Sequence, residues 1–137
     1  MLFALSFSLL LLTGCDTNVG LKGKVIFSDD RSPVPTGIVC FEMDNFLARG
    51  IINPDGTFVV GSLKAKDGLP KGTYRVYVSG AKKVIEPEKG GLEILEPLID
   101  EKFTSGITSG IAIDVTPSTK FFEVVVDRYQ PKVLRKR

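Results

Sequence analysis

The chain has 137 residues, with 18 Lys and Arg against 16 Asp and Glu, no His, no Trp and two Cys. This length suits one domain, and 43% hydrophobic with 25% charged residues is typical of a globular protein rather than a disordered one. The absence of His excludes Ser-His-Asp and Cys-His nucleophile pairs, His-ligated zinc and imidazole acid–base chemistry. Carboxylate, Lys or Tyr chemistry and oxygen-ligated metals remain open.

The first element is an uncharged, apolar stretch from Leu2 to Leu12. At about 1.5 Å per residue it is too short to cross a hydrocarbon core of roughly 30 Å, but it has the length of a signal-peptide core. It continues into Leu12-Thr13-Gly14-Cys15, which resembles the lipobox of bacterial lipoproteins. The resemblance implies that residues 1–14 are a cleaved signal peptide. An ordinary signal or a buried apolar segment followed by a chance Cys is the alternative.

The same resemblance makes Cys15 the lipid attachment residue, because a nucleophilic sulfur must accept the diacylglyceryl group. Two or three acyl chains give stable attachment, whereas one chain is marginal. Residues 15–19 then form a lipidated tether, and the protein is held on the extracytoplasmic face of a membrane in the bacterial cell envelope. Asp16 resembles the residue that retains some lipoproteins at the inner membrane. This compartment makes a nucleic-acid partner improbable.

The rest of the chain predicts an all-β fold. Thirteen of the 14 Gly and all eight Pro follow Cys15 and divide the chain into runs that are too short for helices. Seven of these runs alternate in polarity or are continuously apolar, as strands do. They are 21–27, 37–42, 47–52, 57–61, 73–79, 111–116 and 121–127. Seven short strands without a helical period predict an antiparallel β-sandwich over residues 20–127.

The connections between these strands carry further predictions. Asn53-Pro54-Asp55-Gly56 has the residues of a tight turn and predicts a hairpin between strands 47–52 and 57–61. The last two strands are expected to pair with each other. Gly80 to Gly110 lacks a strong period and is expected to be a packed, irregular crossover.

Strand alternation also predicts the core, because a two-sheet core is built from the apolar phase of each strand. The residues expected to be buried together are Val25, Tyr74, Val76, Val78, Ile113 and Val124. Their neighbours Arg75, Asp114 and Glu123 are expected to face water.

The order of several motifs resembles a known family. They are the runs 20–25, 37–41, 52–58, 69–80, 97–103, 109–111 and 122–124. Together they resemble bacterial lipoproteins with a carboxypeptidase-regulatory-like, transthyretin-like domain. The resemblance implies a seven-stranded Greek-key sandwich without catalytic residues of its own. Enzymes of this fold family that hydrolyse hydroxyisourate depend on His, which is absent here, so neither an enzyme nor a cofactor is expected.

Four groups of residues are candidate sites outside Cys15. Cys40 lies in an apolar strand and is expected to be a buried, inert thiol rather than a reactive one. Asp29-Asp30, Asn53 with Asp55, and Asp100-Glu101 could supply calcium oxygens, but none matches an EF-hand loop, and turns favour these residues for local hydrogen bonds.

The basic tail, residues 128–137, holds five cations and no acid. It could lie on an anionic membrane, or it could be a solvated terminus. Tyr77, Phe121 and Tyr129 are candidate aromatic contacts for a glycan or partner chain.

These observations favour a lipid-anchored, non-enzymatic sandwich that serves as an interaction or structural module and contacts an envelope protein. The alternative is a domain that binds a glycan or small ligand.

Overall fold

The structure, a computed structural model, describes residues 18–62, 64, 66–87 and 89–132. The described residues form nine strands and one 3-10 helix, Glu101–Thr104. The strands are β1 (Lys22–Phe27), β2 (Ile38–Met43), β3 (Phe46–Ile51), β4 (Thr57–Val59), β5 (Gly72–Ser79), β6 (Lys82–Ile85), β7 (Ile94–Pro97), β8 (Ile111–Val115) and β9 (Phe121–Val126). Within these residues, no helix is long and apolar enough to cross a bilayer.

Two sheets make the body of the molecule, in the orders β4-β1-β9 and β3-β2-β5-β8, and β6 pairs with β7 in a separate two-stranded sheet. The prediction of an all-β sandwich is confirmed. The strand number is nine rather than seven, because the predicted crossover between Gly80 and Gly110 contains the β6–β7 hairpin and the 3-10 helix.

Strand pairing departs from the predicted antiparallel arrangement at β9. This strand runs parallel to β1, with Lys22 beside Phe121 and Phe27 beside Val126. The prediction that the last two strands pair with each other is wrong, since β8 pairs with β5 in the opposite sheet. Parallel strands need a long connection, and here most of the chain lies between β1 and β9. Pairing between such distant segments leaves no local signal in the sequence.

The turn at Asn53 to Gly56 forms as predicted, but the hairpin does not. The Gly56 N–H donates to the Asn53 carbonyl at 2.8 Å, and Gly56 has a φ of +83°. The flanking strands then separate: β3 joins β2, and β4 joins β1 in the other sheet. One isolated bridge, Arg49 to Gly61, remains between them. The turn is therefore a corner that carries the chain from one sheet to the other.

We expect Gly56→Val to lower the free energy of unfolding by about 2 to 3 kcal/mol, because a β-branched residue is strained at positive φ and the new side chain has no room. A Cβ at Gly56 would lie 2.7 Å from the Val25 carbonyl oxygen and 2.8 Å from the Pro33 Cβ. Urea denaturation measures the loss. Gly80→Val is the matched control, since Gly80 has a φ of +69° with no atom within 4 Å of its Cβ position. An equal loss at both glycines would contradict the close approach.

The core lies between the two sheets and follows the predicted phases. All six residues expected to be buried are at most 8% exposed. Arg75, Asp114 and Glu123 are exposed, as predicted. The core also takes in residues outside the strands, such as Val34, Leu69 and Phe103, which close the ends of the sandwich.

The described chain begins and finishes at opposite ends of this sandwich. Asn18 lies beside the starts of β1 and β5, at what we call the entry end. Lys132 lies beside Ser79, where β5 finishes, at the exit end. The eight residues of β5 span about 26 Å between the two ends.

Candidate functional site

The predicted lipid attachment residue, Cys15, lies outside the described residues. The second cysteine, Cys40, is on the outward face of β2, where its strand neighbours Arg49 and Tyr77 flank it. It is only 4% exposed, and burial raises the pKa of its thiol. A thiol with a raised pKa holds little thiolate near neutral pH. The prediction of a buried cysteine is confirmed, and its surroundings favour low reactivity.

The acidic pair Asp29 and Asp30 binds an arginine of this chain. The Arg128 guanidinium lies 2.9 Å from the Asp29 carboxylate and 3.4 Å from that of Asp30, and it stacks 3.8 Å from the centre of the Phe27 ring. Hydrogen bonds from the side chain and backbone of Ser32, with a smaller contribution from Arg128, lower the pKa of Asp30 to about 2. The two carboxylates therefore help to fasten the last described residues to the β1–β2 connection.

The other predicted calcium ligands also serve local structure. The Asp55 carboxylate accepts hydrogen bonds from the Thr57 hydroxyl and N–H within the turn, and these bonds lower its pKa. The Asp100 carboxylate accepts from the Lys102 N–H at 3.0 Å and caps the 3-10 helix. Among the described residues, no group of three or more Cys, Asp or Glu is arranged to hold a metal ion. Asp55 and Asp100 thus make the local turn bonds that were the alternative to calcium binding.

The start of the predicted basic tail belongs to the fold. Besides the Arg128 contacts, the Tyr129 N–H donates to the Leu98 carbonyl at 2.9 Å, so ordered pairing continues past residue 127. The chain then reaches Lys132 at the exit end. The rest of the predicted tail, residues 133–137, lies outside the described residues.

The three candidate aromatic residues do not form one surface. Tyr77 is on the outward face of the four-stranded sheet, beside Cys40. Phe121 is 62% exposed at the start of β9, in the other sheet. Tyr129 is at the exit end. A glycan platform would need them together, so the arrangement gives no support to that alternative.

Five of the ten large hydrophobic residues that are exposed among the described residues lie in one segment, and the sequence did not predict this apolar surface. Strands β6 and β7 form a hairpin, which we call the apolar arm, whose base is at the exit end. Val84 pairs with Leu95 on one face of the arm, and Ile85 pairs with Ile94 on the other. Val84, Ile94 and Leu95 are each more than half exposed, and Leu92 in the intervening loop is 90% exposed. Neither face of the arm is covered by the rest of the described chain.

Comparisons with known proteins leave the family open and bear on the fold. No protein family and no curated protein matches the sequence. Among solved structures, the chain is similar to BcpA, the major pilin subunit of Bacillus cereus, with a TM-score of 0.50 and 11% identity. The match covers 83% of this chain and 30% of the pilin chain. At this identity the likeness concerns the fold alone and agrees with an all-β sandwich.

Proposed function

We propose that the protein is a membrane-anchored, non-enzymatic lipoprotein whose sandwich is an interaction module of the bacterial cell envelope. Cys15 attaches it to the membrane, and the apolar arm binds a protein partner. The observation that carries the proposal is the arm itself. Contiguous exposed apolar surface is uncommon on monomeric proteins and marks sites of interaction.

The arm has the properties of a surface that awaits a partner. A two-stranded hairpin is marginally stable in water unless one of its faces packs on something, and both faces of this arm are apolar and open. Near its base the pairs become polar, as Lys83 lies opposite Glu96 with 3.9 Å between their charged groups. An apolar tip on a polar base favours a partner that covers the tip with an apolar groove or a sheet edge.

We infer further that the sandwich is of the transthyretin-like, Greek-key type, and one strand connection supports this inference. After β3, the chain crosses to the opposite sheet as β4 and then returns as β5 beside β2. A strand that returns to lie next to an earlier one is the connection by which a Greek key is recognised. The similarity in fold to a major pilin subunit is in keeping with a non-enzymatic module, and it supports no more specific role.

We expect a photo-crosslinking residue at Leu95 or Ile94 to capture one discrete envelope protein in intact cells. Each position samples one face of the arm. Phe121 is the control position, since it is also an exposed apolar residue but lies at the entry end. Mass spectrometry of the crosslinked species identifies the partner.

With the photo-crosslinking residue at Ile94, Val84→Asp with Leu95→Asp should abolish this capture and leave the melting temperature unchanged, because both side chains are already exposed. Equal capture from Phe121, or capture that survives the double substitution, would show that the arm is not the interaction site. Crosslinks to lipid alone would show that the arm contacts a membrane instead.

A further inference from the structure

A basic cleft opens at the entry end of the sandwich. Its volume is about 1080 Å³, and Asn18, the first described residue, is among those that line it. Four lysines line it as well: Lys22, Lys66, Lys71 and Lys120. All four side chains belong to exposed residues.

The fold gathers these lysines from three separate parts of the chain, since Lys66 and Lys71 both lie in the β4–β5 connection. Lys22 opens β1, and Lys120 immediately precedes β9, the strand parallel to it. Lys71 immediately precedes β5. Lys66 belongs to the loop that the backbone pairing of Val19 with Leu69 fastens to the start of the chain. Several strands therefore deliver a lysine to the same end.

Positive charge in this cleft is not neutralised by the fold. Within the described residues, no carboxylate lies within 4.0 Å of the four ammonium groups. Acidic residues also lie at this end: Asp44 in the β2–β3 turn, Asp114 opposite Thr73 of β5, and Asp67, whose carboxylate accepts backbone hydrogen bonds from Ser62 and Lys64. Four cations elsewhere in the described residues have a carboxylate within 4.0 Å, for example Lys102 with Asp127 at 3.0 Å. The cleft is thus a site where a negatively charged group would find unpaired donors.

The predicted lipid attachment residue, Cys15, is close in sequence to the first residue that lines the cleft. Cys15 lies three positions before Asn18, so at most about 11 Å of chain separates the two residues. This is close to the Debye length of about 8 to 10 Å at physiological ionic strength. If Cys15 is acylated, the four lysines are held within electrostatic reach of the lipid headgroups.

We propose that the basic cleft binds the phosphate groups of anionic phospholipids, so that the sandwich stands on the membrane by its entry end and points the apolar arm away from it. This inference rests on the proposed lipid anchor for its geometry. The lysines attract the phosphate groups of the lipids, and the acylated Cys15 keeps the cleft close to the membrane.

The test uses the proposed mature chain, residues 15–137, carrying Cys15→Ser, so that the result depends neither on acylation nor on the apolar signal segment. Cosedimentation compares its binding to two kinds of vesicle. One contains phosphatidylcholine with about 30% phosphatidylglycerol, which gives a negatively charged surface, and the other contains phosphatidylcholine alone. We expect stronger binding to the anionic vesicles. Each lysine near such a surface contributes about fivefold in partition. Lys71→Glu with Lys120→Glu should therefore weaken anionic binding by about 25-fold or more.

The matched control is Lys82→Glu with Lys132→Glu, which makes the same charge change in the cleft at the exit end. It should leave vesicle binding within about twofold of the parent chain. Lys71→Gln with Lys120→Gln separates loss of charge from its reversal and should weaken binding less than the Glu pair. All variants must show the parent's thermal unfolding, which is expected because these side chains are exposed and unpaired.

Equal weakening by the entry-end and exit-end pairs would overturn the proposal, since net charge alone would then explain binding. Competition by millimolar inorganic phosphate that removes all vesicle binding would also overturn it and assign the cleft to a free anion. If the native protein proves not to be acylated but the Lys71 and Lys120 substitutions still weaken binding to anionic vesicles, the proposed phosphate-binding cleft is supported and only the proposed lipid anchor is refuted.

Discussion

Val76→Asp is expected to prevent folding of the domain. Val76 is fully buried near the middle of β5, between Phe41 of β2 and Ile111 of β8. A carboxylate placed there would have no cation to pair with, and burying an unpaired charge costs several kcal/mol. The whole net stability of a domain is about 5 to 15 kcal/mol. Circular dichroism should show loss of the β signal, and the variant should lack a cooperative urea transition.

Ser79→Asp is the control for this substitution. It places the same new side chain on the same strand, but Ser79 is exposed and lies on the outward face. We expect it to cost less than about 0.5 kcal/mol, as surface changes usually do. Similar loss of stability at both positions would mean that Val76 does not lie between two sheets, and the sandwich would then be wrong.

Cys15→Ser is expected to move the protein from the membrane fraction to the soluble fraction of a cell lysate. Acylation of the sulfur is the only stable attachment that the sequence predicts, and serine cannot accept the diacylglyceryl group in its place. Two or three acyl chains hold a protein on a bilayer far longer than a basic surface alone. Western blotting of fractions washed with high salt measures the change, because salt screens what the lysines contribute.

Cys40→Ala serves as the control for the loss of a thiol. Cys40 is buried, so this variant should stay in the membrane fraction. The mass of the parent protein gives a second measurement and should show cleavage before Cys15 with an acyl increment. A mature mass without that increment, together with unchanged partition of the Cys15→Ser variant, would refute the lipoprotein assignment.

Sequence patterns predicted those parts of the fold in which one face of a strand is buried. Tyr74, Val76 and Val78 alternate with polar residues, so the sequence shows which face of the strand is buried without any knowledge of the neighbouring strands. The β6–β7 hairpin was missed because apolar side chains occupy both of its faces, which removes the alternation. The pairing of strands with one another was harder to predict than their positions, because the parallel neighbours β1 and β9 lie about a hundred residues apart in the sequence.

For the candidate sites too, contacts between neighbouring residues could be predicted from the sequence and contacts between distant segments could not. Turn residues such as Asp55 were read correctly because their bonds are made within two residues. The pairing of Arg128 with Asp29 spans 99 residues, so Arg128 looked like part of a free tail. The basic cleft had no signal at all, because each of its lysines is an ordinary exposed residue until the strands bring the four together.

The described chain begins and finishes at opposite ends of the sandwich, and this placement determines how a pulling force would act on the strands. A pull between an anchored entry end and a partner held at the exit end acts along the strands rather than across them. Strand β1 is pulled from its start, while its neighbour β9 finishes at the far end, so the six paired residues of that ladder are loaded in shear. Shear strains the bonds of a ladder together, whereas peeling breaks them one at a time. With the proposed anchor at one end and the proposed partner at the other, the sandwich would be oriented to transmit force between a membrane and that partner.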